Sequence, residues 1–329
     1  MSPRRQTRSS RTPGKPVPIG QDSTEDEPRP RTKQKPKQRA KPKQTSKPKS
    51  GQNTPKQTSD ATTTTAEGES YRTERLANSR YGIVYDIDGP KVRLGVAWFV
   101  AAMVATYLGL AALAVLVAAI AALAAAQTAN TLRAKWRRPL RSVAAAIGAT
   151  IPLAAAAGVA LAGLVIIAGA VLAVVTANAR RPRRSDPLVD AGAVVRSSVF
   201  VGLAAASIVV LYRFDIGAAV MVIVLLSAYE CGDYLIGSGA TNTVEGPFSG
   251  FLAIVVVTGV GAVVQPPPFH AAGLWLYAMV AALTAPVGQV IASAILPRAG
   301  ATAPALRRLD SYLITGPVWL VLLWSDVGI

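Results

Sequence analysis

Apolar and polar residues are strongly segregated along this chain. Residues 1–80 contain no long apolar run, whereas residues 94–329 consist of apolar runs separated by short polar or basic segments. Two of the runs, 94–129 and 143–179, are too long for a single membrane crossing. A helix over 94–129 would extend about 54 Å, whereas the hydrocarbon core of a bilayer is about 30 Å thick. Each run therefore predicts two short helices joined by a tight hairpin.

Five further apolar runs follow, at 193–211, 216–229, 251–264, from about 272, and 312–324. The basic clusters at 133–141, 180–184 and 298–308 all fall on the cytoplasmic side, as the preference of Lys and Arg for that side requires, only with the parity that two crossings in each double-length run give. The pattern predicts an all-α polytopic membrane protein with about nine transmembrane helices. We expect a plasma-membrane protein with its polar motif loops in the cytoplasm.

The basic N-terminal region differs in kind from the rest of the chain. Hydrophobic residues make up 51% of the sequence and charged residues 16%, yet about half of the 35 Lys and Arg residues lie within 1–80. Such a segment cannot bury enough surface to offset its ordering entropy, so it is predicted to be disordered and cytoplasmic. Its charge is compatible with a solvated tail, with attraction to anionic headgroups, or with nucleic-acid binding. The third interpretation is disfavoured because no aromatic residues interleave with the basic run, and no specific nucleic acid is expected.

Three segments result from these boundaries: the tail at 1–80, an interfacial segment at 81–93 and a transmembrane domain at 94–329. A single cysteine, Cys231, excludes an intramolecular disulfide and a thiolate metal site. The residues after Met1 are polar, so no secretory signal peptide is expected. The sequence leaves open whether the chain forms a homodimer.

Chemically reactive residues concentrate in the stretch 227–246, where carboxylates, glycines and small polar residues interrupt the apolar sequence. Carboxylates near a membrane are costly unless they face water, metal or a partner, so they suggest a functional site. Together with the segment at 298–310, this stretch supplies two sets of charged side chains. The acids offer oxygen ligands for Mg²⁺; they are Glu230, Asp233, Glu245 and Asp310. The arginines can bind phosphate; they are Arg298, Arg307 and Arg308. The residue types alone are also compatible with two other interpretations. The arginines could anchor lipid headgroups while the acids neutralise them, or the protein could be a transporter with carboxylates in the membrane.

Two segments resemble a known enzyme family. The sequences E-C-G-D-Y-L-I-G at 230–237 and N-T-V-E-G at 242–246 resemble the D-x-G-x-Y-x-x-G and K-[ST]-x-E-G elements of the CTP:phosphatidate cytidylyltransferases, the CDP-diacylglycerol synthases. The segment R-R-L-D at 307–310 is similar to the D-R-x-D end of a second family signature. Three positions depart from the family pattern: Glu230 replaces Asp, Asn242 replaces Lys, and Arg307 replaces the first Asp of D-R-x-D. The preceding His-Gly-Gly reads Thr-Ala-Pro, and the upstream Lys-Asp element is missing.

The resemblance implies a membrane nucleotidyltransferase of phospholipid synthesis, which transfers CMP from CTP to phosphatidate with Mg²⁺ as cofactor. Asp310 and Glu230 would be catalytic and, with Asp233, would bind the metal. Anionic phospholipid and CTP would be the ligands. The residues implied in substrate binding are Thr243, Glu245, Gly246, Arg298 and Arg308. The alternative is a catalytically inactive paralogue that binds lipid or a partner at the membrane.

Overall fold

A computed structural model describes residues 91–133, 139–180, 186–238, 242 and 244–327. Within these residues the chain is helical and contains no strand. Nine α-helices and one short 3₁₀ helix follow one another in these ranges. They are α1 (Lys91–Leu108), α2 (Leu110–Thr131), α3 (Arg141–Ala157), α4 (Val159–Arg180), α5 (Pro187–Phe214), α6 (Ile216–Gly237), α7 (Glu245–Val264), α8 (Ala271–Ile295), the 3₁₀ helix (Leu306–Arg308) and α9 (Tyr312–Val327).

Single glycines divide the two double-length apolar runs. Gly109 separates α1 from α2 with φ at 113°, a backbone conformation that glycine adopts without steric cost. Gly158 separates α3 from α4. Gly169 of α4 packs against Ile147 of α3, and these two residues are equally distant in sequence from Gly158. The helices α3 and α4 therefore run antiparallel, which confirms the hairpin predicted over 143–179.

Helix α5 forms the centre of the bundle. It has 28 residues and is the most buried of the long apolar helices, because 72% of its apolar stretch lies inside the bundle. Asp186 begins the helix, because its side chain accepts a hydrogen bond from the Leu188 backbone N–H at 2.9 Å. Gly202 of α5 receives Ile151 of α3, and Gly316 of α9 packs against Ser207 on the same helix. Small residues thus let both neighbours approach α5 closely, as in other membrane helix packings.

Several contacts bring one set of helix ends together. The Arg196 side chain near the start of α5 donates to the Ala294 carbonyl near the end of α8. The Ala305 backbone N–H, just before the 3₁₀ helix, donates to Gln127 Oε1 near the end of α2 at 2.9 Å. Ser311, just before α9, bonds Glu230 in the last turns of α6. We call this part of the bundle the site end.

The opposite helix ends meet at the far end of the bundle. The Tyr277 hydroxyl, near the start of α8, donates to Asp326 Oδ2 near the end of α9 at 2.6 Å. Gly217 at the start of α6 packs against the Pro267 carbonyl between α7 and α8. His270 precedes α8 and is about 28 Å from Gln289 along that helix. His270 therefore lies at the end of the bundle opposite the acidic residues of α6.

By length and composition, six of the described helices can cross a membrane: α2, α4, α5, α6, α7 and α8. Two shorter apolar helices, Arg93–Leu108 and Arg141–Ala157, complete the two hairpins, and α9 has 16 residues. The chain therefore has the helices of a multi-pass membrane protein, whereas nine crossings stay a prediction. The predicted disordered tail at 1–80 and the first ten residues of the predicted interfacial segment lie outside the described residues.

Some helices are longer than their apolar runs predict. Helix α1 already begins at Lys91, inside the predicted interfacial segment 81–93. Helix α6 continues through the acidic segment 230–237, which the sequence suggested to be a loop. Glu230 and Asp233 are compatible with this helix because they are three residues apart and share the face turned toward polar partners. The helices extend beyond their apolar runs because a helix ends where its backbone hydrogen bonds end. An apolar run shows only which part of the helix is in an apolar environment.

Candidate functional site

The last turns of α6 carry two acidic residues against the start of α7. The close approach depends on Gly232, because a Cβ atom there would lie 2.7 Å from the Ser249 carbonyl oxygen. The Ser249 hydroxyl in turn contacts the Gly232 carbonyl at 2.6 Å and the Gly246 carbonyl at 2.7 Å. This packing fixes the end of α6, which carries Glu230 and Asp233, the latter only 3% exposed.

A third carboxylate reaches the same place from a distant part of the chain. Asp310 lies in the turn between the 3₁₀ helix and α9 and is 4% exposed. Its backbone packs directly on α8, where a Cβ on Gly288 would lie 2.2 Å from the Asp310 carbonyl oxygen. Asp310 Oδ1 accepts the Ser311 backbone N–H at 2.8 Å, and the Ser311 hydroxyl donates to Glu230 Oε1. One serine thus links two acids that are eighty residues apart in sequence.

Three acids lie close enough to interact electrostatically: Glu230, Asp233 and Asp310. We call these three residues the carboxylate cluster. Glu230 interacts with Asp310, Asp233 and Arg308, and Asp310 interacts with Arg307 and Asp233. Burial raises the pKa of Asp310 to about 6, although the Arg307 guanidinium and the Ser311 N–H act in the opposite direction. Asp310 thus keeps a cationic partner, Arg307, despite its burial.

Arg307 points into the cluster. Its Nη1 lies 3.6 Å from Asp310 Oδ2 and donates to the Ser293 hydroxyl at 3.1 Å. Its Nη2 donates to the Ala299 carbonyl at 2.9 Å. Three contacts thus fix the guanidinium beside the position where the resemblance places a metal-binding carboxylate, and this is the largest chemical departure from the family pattern.

Gln289 completes the cluster and was not predicted from the sequence. Its Nε2 donates to Asp233 Oδ2 at 3.0 Å. Its Oε1 is buried and meets no donor among the described residues, and the whole residue is 7% exposed. Gln289 and Ser293 are four residues apart on α8, so they share one face of a largely apolar helix. That pair of polar positions is the sequence signal that could have revealed this wall of the site.

The remaining predicted residues that the structure describes lie at or beyond the edge of this cluster. Asn242 Oδ1 accepts the backbone N–H groups of Val244 and Glu245, each at 3.0 Å, and its Nδ2 donates to Glu245 Oε1. Asn242 and Glu245 thus form the helix-start pair of α7. Thr243 itself lies outside the described residues. Gly246 is buried beside Ser249, and Arg298 is exposed in the loop after α8.

The donor atoms of the cluster are compatible with Mg²⁺. Among the described residues, no group of three or more His, Cys, Asp or Glu side chains is arranged to bind a metal ion. Mg²⁺, however, typically uses one or two protein carboxylates and completes its octahedron with water and substrate phosphate. The buried Asp310 and the half-buried Glu230 are two neighbouring carboxyl groups of this kind, and the Gln289 amide oxygen lacks a donor among the described residues. Mg²⁺ at this site stays a prediction.

Comparison with known proteins finds no match: no protein-family model matches the chain, and no curated protein is significantly similar to it. The resemblance to the cytidylyltransferases therefore depends on the two motif regions alone. The structure adds one independent fact, which is that Glu230 of the first region and Asp310 of the second lie in the same cluster.

Proposed function

We propose that this chain is a membrane nucleotidyltransferase that transfers CMP from CTP to a phosphorylated lipid, with phosphatidate as the expected acceptor. The observation that carries the proposal is the adjacency of Glu230 and Asp310, which come from two separate motif regions and are joined through Ser311. If the two motif regions were only structural, their acids would not be expected together at one end of an apolar bundle, because like charges repel.

In the proposed reaction a phosphate oxygen of the lipid attacks the α-phosphorus of CTP. A new P–O–P linkage forms, the bond between the α- and β-phosphates breaks, and pyrophosphate leaves with the bonding electron pair. No covalent enzyme intermediate is needed, so catalysis consists of positioning and charge neutralisation. A bound Mg²⁺ ion would supply part of that neutralisation at the phosphates.

The residues have distinct roles in this proposal. Asp310 and Glu230 bind the cation, and Asp233, fixed by Gln289, adds negative charge beside them. Arg308 and the exposed Arg298 bind phosphate oxygens. Arg suits this task because its planar fork of donors matches phosphate. The start of α7, with Thr243, Glu245 and Gly246, is the proposed nucleotide side of the site.

The proposal is tested with membranes that contain the full chain. They are supplied with phosphatidate, Mg²⁺ and CTP labelled in the cytidine, and the lipid fraction is counted. Incorporation that requires phosphatidate and is lost when Mg²⁺ is chelated supports the enzyme. No incorporation beside an active reference enzyme in the same membranes contradicts it.

A catalytically inactive paralogue is the second candidate, and the Arg307–Asp310 contact favours it. A fixed guanidinium 3.6 Å from a cation-binding carboxylate disfavours a metal ion at that position. Under this hypothesis Arg307 permanently replaces the metal, and the basic site end binds an anionic lipid or a partner without turnover. The same membranes would then bind phosphatidate but release no pyrophosphate from CTP.

A further inference from the structure

A groove opens on the surface of the bundle between α2, α3 and α4. Its volume is about 650 Å³, within the range of about 300–1,000 Å³ that is usual for small-ligand sites. It shares no residue with the carboxylate cluster, which α6 and the turn before α9 provide. Its wall is formed by one face of α2, the start of α3 with the residues just before it, and the ends of α2 and α4.

The floor of the groove is apolar and shallow. Ala119, Ala122, Leu123 and Ala126 recur at the spacing of one helical face and extend about 10 Å along α2. The small alanine side chains leave space where larger residues would fill the groove. Because α2 is long and apolar enough to span a membrane, this face can be covered by hydrocarbon.

The rim of the groove is basic. Arg133 follows the end of α2, Arg141 is the first residue of α3 and Arg180 is the last residue of α4, so three helix ends supply one cation each. All three side chains are exposed. No carboxylate within the described ranges forms an ion pair with any of them. An exposed cation triad therefore lies at the mouth of a groove with hydrocarbon-like walls.

We propose that this groove binds one anionic phospholipid, with its phosphate among the three arginines and the first part of an acyl chain along the alanine face. A lipid satisfies both parts of the groove, because arginine forks match phosphate and the floor offers nothing polar to a base or sugar. This site is separate from the proposed catalytic site and does not depend on it. Gln127, which contacts the segment before the 3₁₀ helix, does not line the groove.

The test uses purified full-length protein in neutral detergent, titrated with phosphatidylglycerol or phosphatidylcholine, and native mass spectrometry counts the bound lipid. The first variant is Arg133→Gln/Arg141→Gln/Arg180→Gln, with Arg93→Gln, an exposed arginine outside the groove, as its control. Near an anionic surface each arginine contributes about fivefold. The triple variant should therefore lose on the order of a hundredfold in apparent affinity for phosphatidylglycerol, whereas Arg93→Gln should match the wild type.

A second variant tests the apolar floor without changing charge. Ala145→Trp fills the groove, and Ala146→Trp places the same indole on an exposed neighbouring position that does not line it. We expect the first substitution to displace phosphatidylglycerol and the second to leave its binding unchanged, with both proteins monodisperse in size-exclusion chromatography.

Four results would overturn the proposal. They are equal binding of the two lipids by the wild type, unchanged phosphatidylglycerol binding by the triple variant, equal binding by the two tryptophan variants, and competition by soluble glycerol 3-phosphate as effective as that by the lipid. The last result would identify a phosphate site that does not use the acyl chain.

Discussion

Arg307 Nη1 lies 3.6 Å from Asp310 Oδ2, within a single turn that precedes the last helix. The guanidinium is also fixed by Ser293 and by the Ala299 carbonyl, so its position is determined by α8 and the following loop. This contact distinguishes the two proposed functions. An enzyme must accommodate a metal ion beside the guanidinium, whereas an inactive paralogue uses the guanidinium in place of the metal.

Removal of the Arg307 charge should strengthen Mg²⁺ binding. Arg307→Gln keeps a polar side chain at this position, while the positive charge beside Asp310 is gone. We expect Mg²⁺ affinity to rise on the order of tenfold, because a like charge no longer opposes the ion. The measurement is a Mg²⁺ titration of thermal unfolding with purified full-length protein.

The control for this prediction is Arg298→Gln, which removes an exposed arginine from the same region of the chain. It should leave the Mg²⁺ response as it is in the wild type. Equal or weaker Mg²⁺ stabilisation of Arg307→Gln would mean that the cation does not bind beside Asp310.

Gly288 should be intolerant of any side chain. A Cβ at this position would meet the Asp310 carbonyl oxygen at 2.2 Å, and backbone cannot move aside without shifting the whole turn. Gly288→Ala should therefore cost about 1–3 kcal/mol in stability, as overpacking usually does, and should displace Asp310 from Glu230. Thermal unfolding in detergent measures the loss. The matched control is Gly259→Ala, a helical glycine whose Cβ would meet nothing within 4 Å; equal melting temperatures for the two variants would refute this packing.

Gln289 should stabilise the cluster through Asp233. Gln289→Leu keeps the approximate size of the side chain but removes the donor to Asp233 Oδ2. A buried carboxylate that loses a donor costs about 1–3 kcal/mol, so the melting temperature should fall at neutral pH. Thr150→Val provides the comparison, since the exposed Thr150 hydroxyl bonds its own helix at the Ala146 carbonyl. If both substitutions have the same small effect, Gln289 has no part in the polar cluster.

Part of this picture could be predicted from the sequence. The positions of the apolar runs predicted the helices, and the excess length of 94–129 and 143–179 predicted the breaks that Gly109 and Gly158 provide. The positions of Glu230, Asp233, Arg308 and Asp310 at one end of the bundle followed from the parity of the crossings. Hydropathy predicts the helices because a segment in a membrane must satisfy its backbone hydrogen bonds internally.

Other features depend on side-chain packing and could not be predicted. The direction of Arg307 is set by Ser293 and by the Ala299 carbonyl, neither of which the local sequence identifies as a partner. Gly288 lets the Asp310 turn pack directly on α8, and the next residue, Gln289, donates to Asp233 of α6. Tertiary proximity of this kind has no periodic signature in the sequence.

Introduced cysteines measure which side of the membrane the site end faces. In a Cys231→Ser background, Arg298→Cys lies at the site end and His270→Cys at the far end, and both positions are exposed. We expect a membrane-impermeant maleimide to label His270→Cys in intact cells and Arg298→Cys only in inside-out vesicles, because basic loops stay in the cytoplasm. Labelling of Arg298→Cys in intact cells would reverse the proposed orientation and separate the site from cytoplasmic CTP.

The most direct test of the central claim is the effect of one carboxylate on CMP transfer. Membranes with the wild-type chain should incorporate labelled cytidine into lipid when given phosphatidate and Mg²⁺. Asp310→Asn should reduce this incorporation at least about a hundredfold, the order of magnitude expected for loss of a key electrostatic group, while Asp326→Asn at the far end should retain it. Incorporation that Asp310→Asn leaves unchanged, or its absence from the wild type beside an active reference enzyme, would contradict the account.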